Sequence, residues 1–121
     1  MLTISSSTRV FVALGATDMR KSYDTLAAAA RSVIEEDPLS GSLFVFCNRG
    51  RNRLKVLWFD RGGFWLLARR LERGTYAWPK ADVSGARRIE LRTSELVALL
   101  DGIDINQTRR RTWYERGSRS A

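Results

Sequence analysis

Histidine is absent from this chain of 121 residues, and cysteine occurs once, as Cys47. Without histidine, the chain cannot build a Ser-His-Asp triad, a Cys-His pair or a histidine-ligated metal site. A single cysteine excludes an internal disulfide, so we expect the protein in a reducing cytoplasm. No stretch approaches the ~18 apolar residues of a membrane span, and we therefore expect no membrane partner.

Thirteen acidic residues remain, and carboxylates alone can support metal-dependent phosphoryl transfer. The acids that a carboxylate nuclease would have to bring together are Asp18, Asp24, Asp60 and Glu72. The acids are spread along the sequence and most lie beside arginines, so we predict no catalytic residue and no metal site. We also predict no cofactor, since the glycine pair at 62–63 is not followed by the Lys-Ser of a phosphate-binding loop.

Basic residues are abundant. The chain has 21 Lys+Arg against 13 Asp+Glu, a formal net charge of +8, and 18 of the 21 cations are arginine. Arginine binds phosphate through two parallel hydrogen bonds, and such a charge excess is typical of nucleic-acid-binding proteins. An arginine-rich genome would give the same excess, so its distribution is more informative. Residues 49–73 contain eight cations and two acids, and 8 − 2 leaves +6 within 25 residues.

Apolar periodicity predicts the main elements. Residues 8–14 are apolar on both faces, which indicates a buried strand. Residues 18–36 carry one apolar stripe at helical spacing, and Thr17 or Asp18 can cap that helix. Strands at 42–47 and 53–60 flank a loop at 48–52, which is the pattern of a β-hairpin.

The remaining elements are shorter. Residues 64–72 fit either a third strand or a short helix. Further short strands are predicted at 75–78 and 89–91, and Thr93 or Ser94 is predicted to cap a second helix. Trp58 and Trp65 lie in apolar runs, so we predict both in the core.

These elements predict an α+β fold in which a mostly antiparallel β-meander packs against one long N-terminal helix, with a short C-terminal helix. Residues 1–107 are predicted to form a single domain. Residues 108–121 are predicted to be a basic, disordered tail.

Side-chain direction in the hairpin predicts the binding site. If the strand is regular from residue 51, then Arg51, Arg53 and Lys55 point to one side and form a projecting basic finger. The alternative is a solvated hairpin whose arginines protect an edge strand. For Arg20 and Lys21 the alternative is an ion pair with Asp18 or Asp24. The predicted nucleic-acid-binding residues are Arg20, Lys21, Arg49, Arg51, Arg53, Lys55, Arg69, Arg70 and Arg73.

Four segments occur in the same order, and at similar spacing, in one known family. They are DMRKSYDTLAA (18–28), DPLSGSLFVF (37–46), NRGRNRLKVLWFDRGGFWLLARRLERGTYAWP (48–79) and ELVALLDGID (95–104). Over about residues 8–105 the chain resembles the Orf2-like, or TnpB, accessory protein of the insertion-sequence-66 family of bacterial transposable elements. It departs at Ser22-Tyr23, where members often have Gly-Phe, and at Asn52, where many have another charge.

The resemblance implies a role in transposition without catalysis. The large protein of such elements looks like a DDE-type transposase, and the Orf2-like protein has no assigned catalytic residue. We therefore predict a bacterial, cytoplasmic, non-catalytic accessory protein that binds transposon-end DNA and helps assemble the transposase complex. The alternative is a protein-interaction adaptor whose arginines meet acidic surfaces on the transposase. A homodimer is possible in either case.

Overall fold

A five-stranded sheet with the strand order β4-β3-β2-β1-β5 forms the centre of the protein. The computed structural model describes residues 5–80 and 84–102, so the predicted tail at 108–121 lies outside the described residues. Two helices accompany the sheet, and the α+β class and the short C-terminal helix are confirmed. The strands are β1 (Val10–Ala16), β2 (Leu43–Cys47), β3 (Arg53–Asp60), β4 (Gly63–Arg70) and β5 (Arg88–Leu91). The helices are α1 (Tyr23–Ala29, continued by a π-helical turn over Ala30–Ile34) and α2 (Thr93–Leu100). The N-cap of α2 is Arg92, so the predicted cap at Thr93 or Ser94 was wrong.

The sheet is mixed. β1 and β2 are parallel, whereas β1–β5, β2–β3 and β3–β4 are antiparallel. Parallel neighbours need a crossover connection, and α1 supplies it. The prediction of a mostly antiparallel meander packed against one long N-terminal helix was therefore wrong in two respects. The sheet is mixed, with only β2, β3 and β4 forming a meander, and the helix follows the first strand instead of being N-terminal. Residues 64–70 of the ambiguous segment at 64–72 belong to strand β4.

α1 begins at residue 23, five residues later than predicted, because Asp18 organises a turn. The Asp18 carboxylate accepts a hydrogen bond from the backbone N–H of Arg20 at 2.9 Å, and such local bonds compete with helix formation. The N-cap is Ser22, whose backbone N–H donates to the Thr25 hydroxyl at 2.9 Å. The helical segment ends after Ile34, where Glu35 adopts a left-handed conformation with φ of 62°.

Both faces of the central strands are covered. On one face, called the α1 face, Phe11, Phe44 and Leu57 pack with Leu26 and Ile34 of the helical segment. This double cover explains why β1 and β2 are apolar on both faces, since successive buried side chains from Val10 to Ala13 and from Leu43 to Cys47 alternate between two cores.

The opposite face, called the α2 face, is covered by α2 and by the segment that follows β4. Leu96 and Leu99 of α2 belong to its core, together with Tyr76 and Trp78. The strand predicted at 75–78 does not form. Instead the Trp78 indole N–H donates to the backbone oxygen of Ala13 at 3.0 Å, inside the core.

Candidate nucleic-acid interface

The nine predicted site residues lie at one end of the sheet. The register pairs Cys47 of β2 with Ala16 of β1 and with Leu54 of β3, and pairs Leu54 with Arg69 of β4. These residues form a row across four strands, and the loops that leave the row carry most of the cations. This cationic end consists of Arg20, Lys21, Arg49, Arg51, Arg53, Lys55, Arg69, Arg70 and Arg73.

The hairpin loop is organised by Asn48. Its side-chain oxygen accepts hydrogen bonds from the backbone N–H groups of Asn52 and Arg53 at 3.0 and 3.1 Å, and its side-chain NH₂ donates to the Asn52 side-chain oxygen at 2.8 Å. An asparagine that bonds to backbone a few residues on is a turn signal, and the sequence analysis did not use it. The loop also packs against the segment after β4, because Leu71 N–H donates to the Asn52 backbone oxygen at 2.8 Å.

Arg51 holds the loop to β1. It has φ of 57°, so strand geometry begins only at Arg53. Its guanidinium donates to the backbone oxygen of Leu14 at 3.0 Å and lies 5.5 Å from the centre of the Trp78 ring. Arg51 therefore turns towards the α2 face, and the common direction predicted for Arg51, Arg53 and Lys55 is not observed.

Lys55 fixes the chain between β1 and α1. Its ammonium donates to the backbone oxygens of Met19 and Lys21 at 2.8 and 2.7 Å. These carbonyls belong to the turn before α1, which carries Arg20. Lys55 lies on β3, more than 30 residues after this turn in the sequence. Its two hydrogen bonds thus hold the turn beside β3.

Arg69 caps the other helix. Its guanidinium donates to the backbone oxygen of Leu100 at 2.7 Å and lies 5.9 Å from the centre of the Tyr76 ring. A cation at the carbonyl end of a helix satisfies an unpaired carbonyl and interacts favourably with the helix dipole. The described chain ends at Gly102, two residues after this contact.

Arg53 and Arg70 face each other across the β3–β4 ladder as a direct cross-strand pair. Both are exposed, and like charges in this position destabilise a sheet. Arg70 also donates to the Glu72 carboxylate, with its two nitrogens at 3.1 and 3.2 Å. A shallow groove of about 460 Å³ separates the two arginines from the turn before α1, and Met19 and Ala68 line it.

The other cations differ in what they contact. Arg49 and Arg73 are exposed, Lys21 is half-buried, and none of the three side chains forms a hydrogen bond or ion pair within residues 5–80 and 84–102. Arg20 binds Asp18 through two nitrogens, the shorter contact being 2.7 Å. The Arg20 guanidinium lowers the pKa of the Asp18 carboxyl to about 2.

The acids proposed for a nuclease do not converge. Asp60 ends β3 at the far end from Arg53, roughly 23 Å away at about 3.3 Å per residue, whereas Glu72 lies near Arg53 through its bond to Arg70. Asp18 is bound to Arg20. In the part of the chain that the structure describes, no group of three or more Asp, Glu or Cys residues is placed to hold a metal ion.

The tryptophans of β3 and β4, Trp58 and Trp65, have different surroundings. Trp58 is buried as predicted, but Trp65 is 57% exposed, so its predicted core position was wrong. The reason is that β4 is an edge strand, and the core on the α2 face does not extend to Trp65. None of the described helices has the length and apolar content needed to cross a bilayer.

The chain is similar to one protein family and to two curated relatives. The family described as "IS66 Orf2 like protein" matches residues 8–110. Two relatives come from Sinorhizobium fredii (strain NBRC 101917 / NGR234). "Uncharacterized protein y4hO" is 42% identical over 104 residues, covering 86% of this chain and 88% of the relative. "Uncharacterized protein y4jC" is 29% identical over 111 residues, covering 92% of each. No solved structure matches.

Proposed function

The chain belongs to the IS66 Orf2-like family, the accessory proteins of IS66 elements, and on this premise we propose that it binds transposon-end DNA through the cationic end of its sheet. In this proposal the protein is not a catalyst. It holds DNA and helps to assemble the transposase complex.

The Arg53–Arg70 pair is the observation that carries the proposal. Two exposed arginines lie directly opposite each other on neighbouring strands, although this arrangement costs stability. A phosphate between them would turn the repulsion into two charge-assisted contacts. The side chains of Arg49, Arg73 and Lys21 form no hydrogen bond or ion pair among the described residues, and they extend the positive surface on either side.

The nine cations divide into two groups by what they already hold. Arg51, Lys55 and Arg69 donate to backbone carbonyls and position the loops. The other six can bind phosphate. Four can do so directly, and the remaining two would first release the surface carboxylate that each now binds. The six are Lys21, Arg49, Arg53 and Arg73, and the carboxylate-bound Arg20 and Arg70.

Fluorescence anisotropy over a salt series tests the proposal with DNA from the terminal repeat of the element. The test variant is Arg49→Gln/Arg53→Gln/Arg73→Gln. Each phosphate contact contributes about 0.9 to the slope of log K against log salt on duplex DNA. We expect the variant to bind more weakly and its slope to fall by about 2–3. Scrambled DNA of equal length shows whether the contacts distinguish sequence.

A matched control removes the same charge elsewhere. Arg31 and Arg92 are exposed and lie away from the cationic end, and Arg61 lies in the β3–β4 turn with φ of 49°. The control is Arg31→Gln/Arg61→Asn/Arg92→Gln, with asparagine at 61 because it tolerates positive φ. Equal losses in the two triple variants would indicate general attraction by net charge and would contradict a site at the cationic end.

An adaptor function is the second candidate. Arg20 and Arg70 already bind the carboxylates of Asp18 and Glu72, and carboxylates are what an acidic protein surface presents. In this version the cationic end binds acidic residues of the transposase. It predicts no DNA binding at low salt, together with binding to the purified transposase that the Arg49/Arg53/Arg73 variant weakens.

A further inference from the structure

The two edges of the sheet are protected to different degrees. β5 has only four residues, and its charged side chains form ion pairs, Glu90 with Arg9 and Arg88 with Glu36. β4 has eight residues, and no described strand pairs with its outer side. Its stretch 64–68 (FWLLA) has no charge, no proline and no bulge in its pairing with β3. Long, regular, apolar edges are the ones that pair with another strand.

The exposed apolar side chains of β4 lie on one face. Trp65 is 57% and Leu67 51% exposed, and both point to the α2 face, as Trp58 does. The Trp65 ring is stacked on Trp58 with centroids 6.1 Å apart and planes 17° apart, which holds it in place. On the α1 face, Phe64 and Leu66 pack against the core beneath α1. β4 is thus anchored on the α1 face, whereas Trp65 and Leu67 remain exposed on the α2 face.

The charges of β4 favour one pairing direction with a second copy. Arg69 and Arg70 occupy one end of the strand, and the Gly62–Gly63 turn occupies the other. Parallel pairing of two copies would place the arginines of both against each other. Antiparallel pairing places them beside the other copy's turn, where the charges of Asp60 and Arg61 cancel. This direction keeps the Arg69 and Arg70 side chains of the two copies apart.

We propose that two copies of this chain pair antiparallel along β4 and form one ten-stranded sheet. A two-fold axis perpendicular to the sheet keeps the α2 faces on the same side, so residues of one face must pair with each other. A register centred on Leu66 places Trp65 of one copy opposite Leu67 of the other, and each exposed side chain gains a partner. The assembly stops at the dimer because the remaining β5 edges are short and charged.

Sedimentation velocity of the whole chain over a concentration series in the micromolar range tests the proposal. We expect a monomer–dimer equilibrium. Leu67→Lys is expected to raise the dimer dissociation constant by about tenfold or more, because it places two lysines near the two-fold axis. The matched control is Val97→Lys, since Val97 is 54% exposed on α2, and it is expected to leave the equilibrium unchanged. A wild-type monomer at every concentration, an open series of larger species, or a dimer unaffected by Leu67→Lys would overturn the proposal.

Cysteine cross-linking adds a readout of the register. The native Cys47 is fully buried, so an added cysteine is the reactive one. At a two-fold axis the same residue of both copies lies within disulfide distance. Leu66→Cys is expected to form a covalent dimer on mild oxidation, whereas Glu90→Cys on β5 is not. Cross-linking of both variants to equal extents would contradict pairing through β4.

The dimer does not depend on the DNA-binding proposal, and the two tests have separate readouts. If both hold, the antiparallel arrangement places the cationic ends of the two copies at opposite ends of the joined sheet. Such a dimer would hold two DNA segments at once, and a transposable element has two ends.

Discussion

Replacement of Arg51 tests most directly whether the cations divide into structural and DNA-binding groups. By sequence Arg51 and Arg49 are equivalent loop arginines, but in the structure only Arg51 donates to a distant backbone oxygen, that of Leu14 at 3.0 Å. It also lies over Trp78 at 5.5 Å. Arg51→Ala removes both contacts and leaves the β1 carbonyl without this donor.

The expected cost follows from these two contacts. A hydrogen bond from a charged donor contributes about 1.5–3 kcal/mol, and the half-exposed position of Arg51 favours the lower part of that range. A cation–π contact adds about 0.5–1 kcal/mol. We expect Arg51→Ala to lower the free energy of unfolding by about 2–3 kcal/mol, and to lower Tm by roughly 10 °C in a chain of this size.

Urea unfolding followed by tryptophan fluorescence measures the change, with Arg49→Ala as the matched control. Arg49 is exposed, so its variant is expected to stay within about 0.5 kcal/mol of the wild type. Arg51→Gly adds a second control, because glycine relieves the cost of φ at 57° that alanine retains. It is expected to be more stable than Arg51→Ala by up to about 1 kcal/mol. Equal stability of Arg51→Ala and Arg49→Ala would refute the structural role.

The other predictions concern three single side chains. Lys55→Met is expected to lower the free energy of unfolding by about 2–3 kcal/mol in urea, since two charge-assisted bonds to carbonyls are lost; unchanged stability would contradict this. Asp18→Asn is expected to tighten DNA binding and to steepen the salt slope by up to about 0.9, because it frees Arg20 and removes a negative charge. Because the folded pKa of Asp18, about 2, lies below its ordinary 3.8, the stabilisation by this pair is fully present above about pH 4 and is lost as the pH falls through about 2. NMR titration of the carboxyl should show that low pKa, and its absence would indicate that the pair does not form. Burial raises the pKa of the Cys47 thiol, so a thiol reagent is expected to label it no faster than the protein unfolds, and rapid native-state labelling would be inconsistent with the core.

Local pattern was sufficient for the hairpin. The predicted strands at 42–47 and 53–60 agree with Leu43–Cys47 and Arg53–Asp60 to within one residue. A strand's side-chain alternation and a turn's residue preferences depend on a few neighbouring positions, which the sequence displays directly. The apolar stripe of α1 was visible for the same reason. Its start was misplaced because the Asp18 turn competes locally with the helix.

The order of the strands in the sheet could not be predicted from neighbouring residues in the sequence. Residues 8–14 read as a buried strand, but nothing in them specifies a parallel neighbour 30 residues later or an antiparallel one at 88–91. Those choices follow from how α1 crosses over and from which faces α1 and α2 must cover. The exposure of Trp65 has the same origin, since only the strand order places it on an edge.

The sequence by itself determined that this chain is basic, lacks histidine chemistry and concentrates its charge around one hairpin. Only the tertiary structure decided which cations remain available. Arg51, Lys55 and Arg69 are held by the carbonyls of Leu14, Met19 and Leu100, which lie 31 to 37 residues away in the sequence. A guanidinium or ammonium binds whichever acceptor the fold brings within about 3 Å. Which acceptor that is depends on contacts between distant segments, and no local pattern of residues records them.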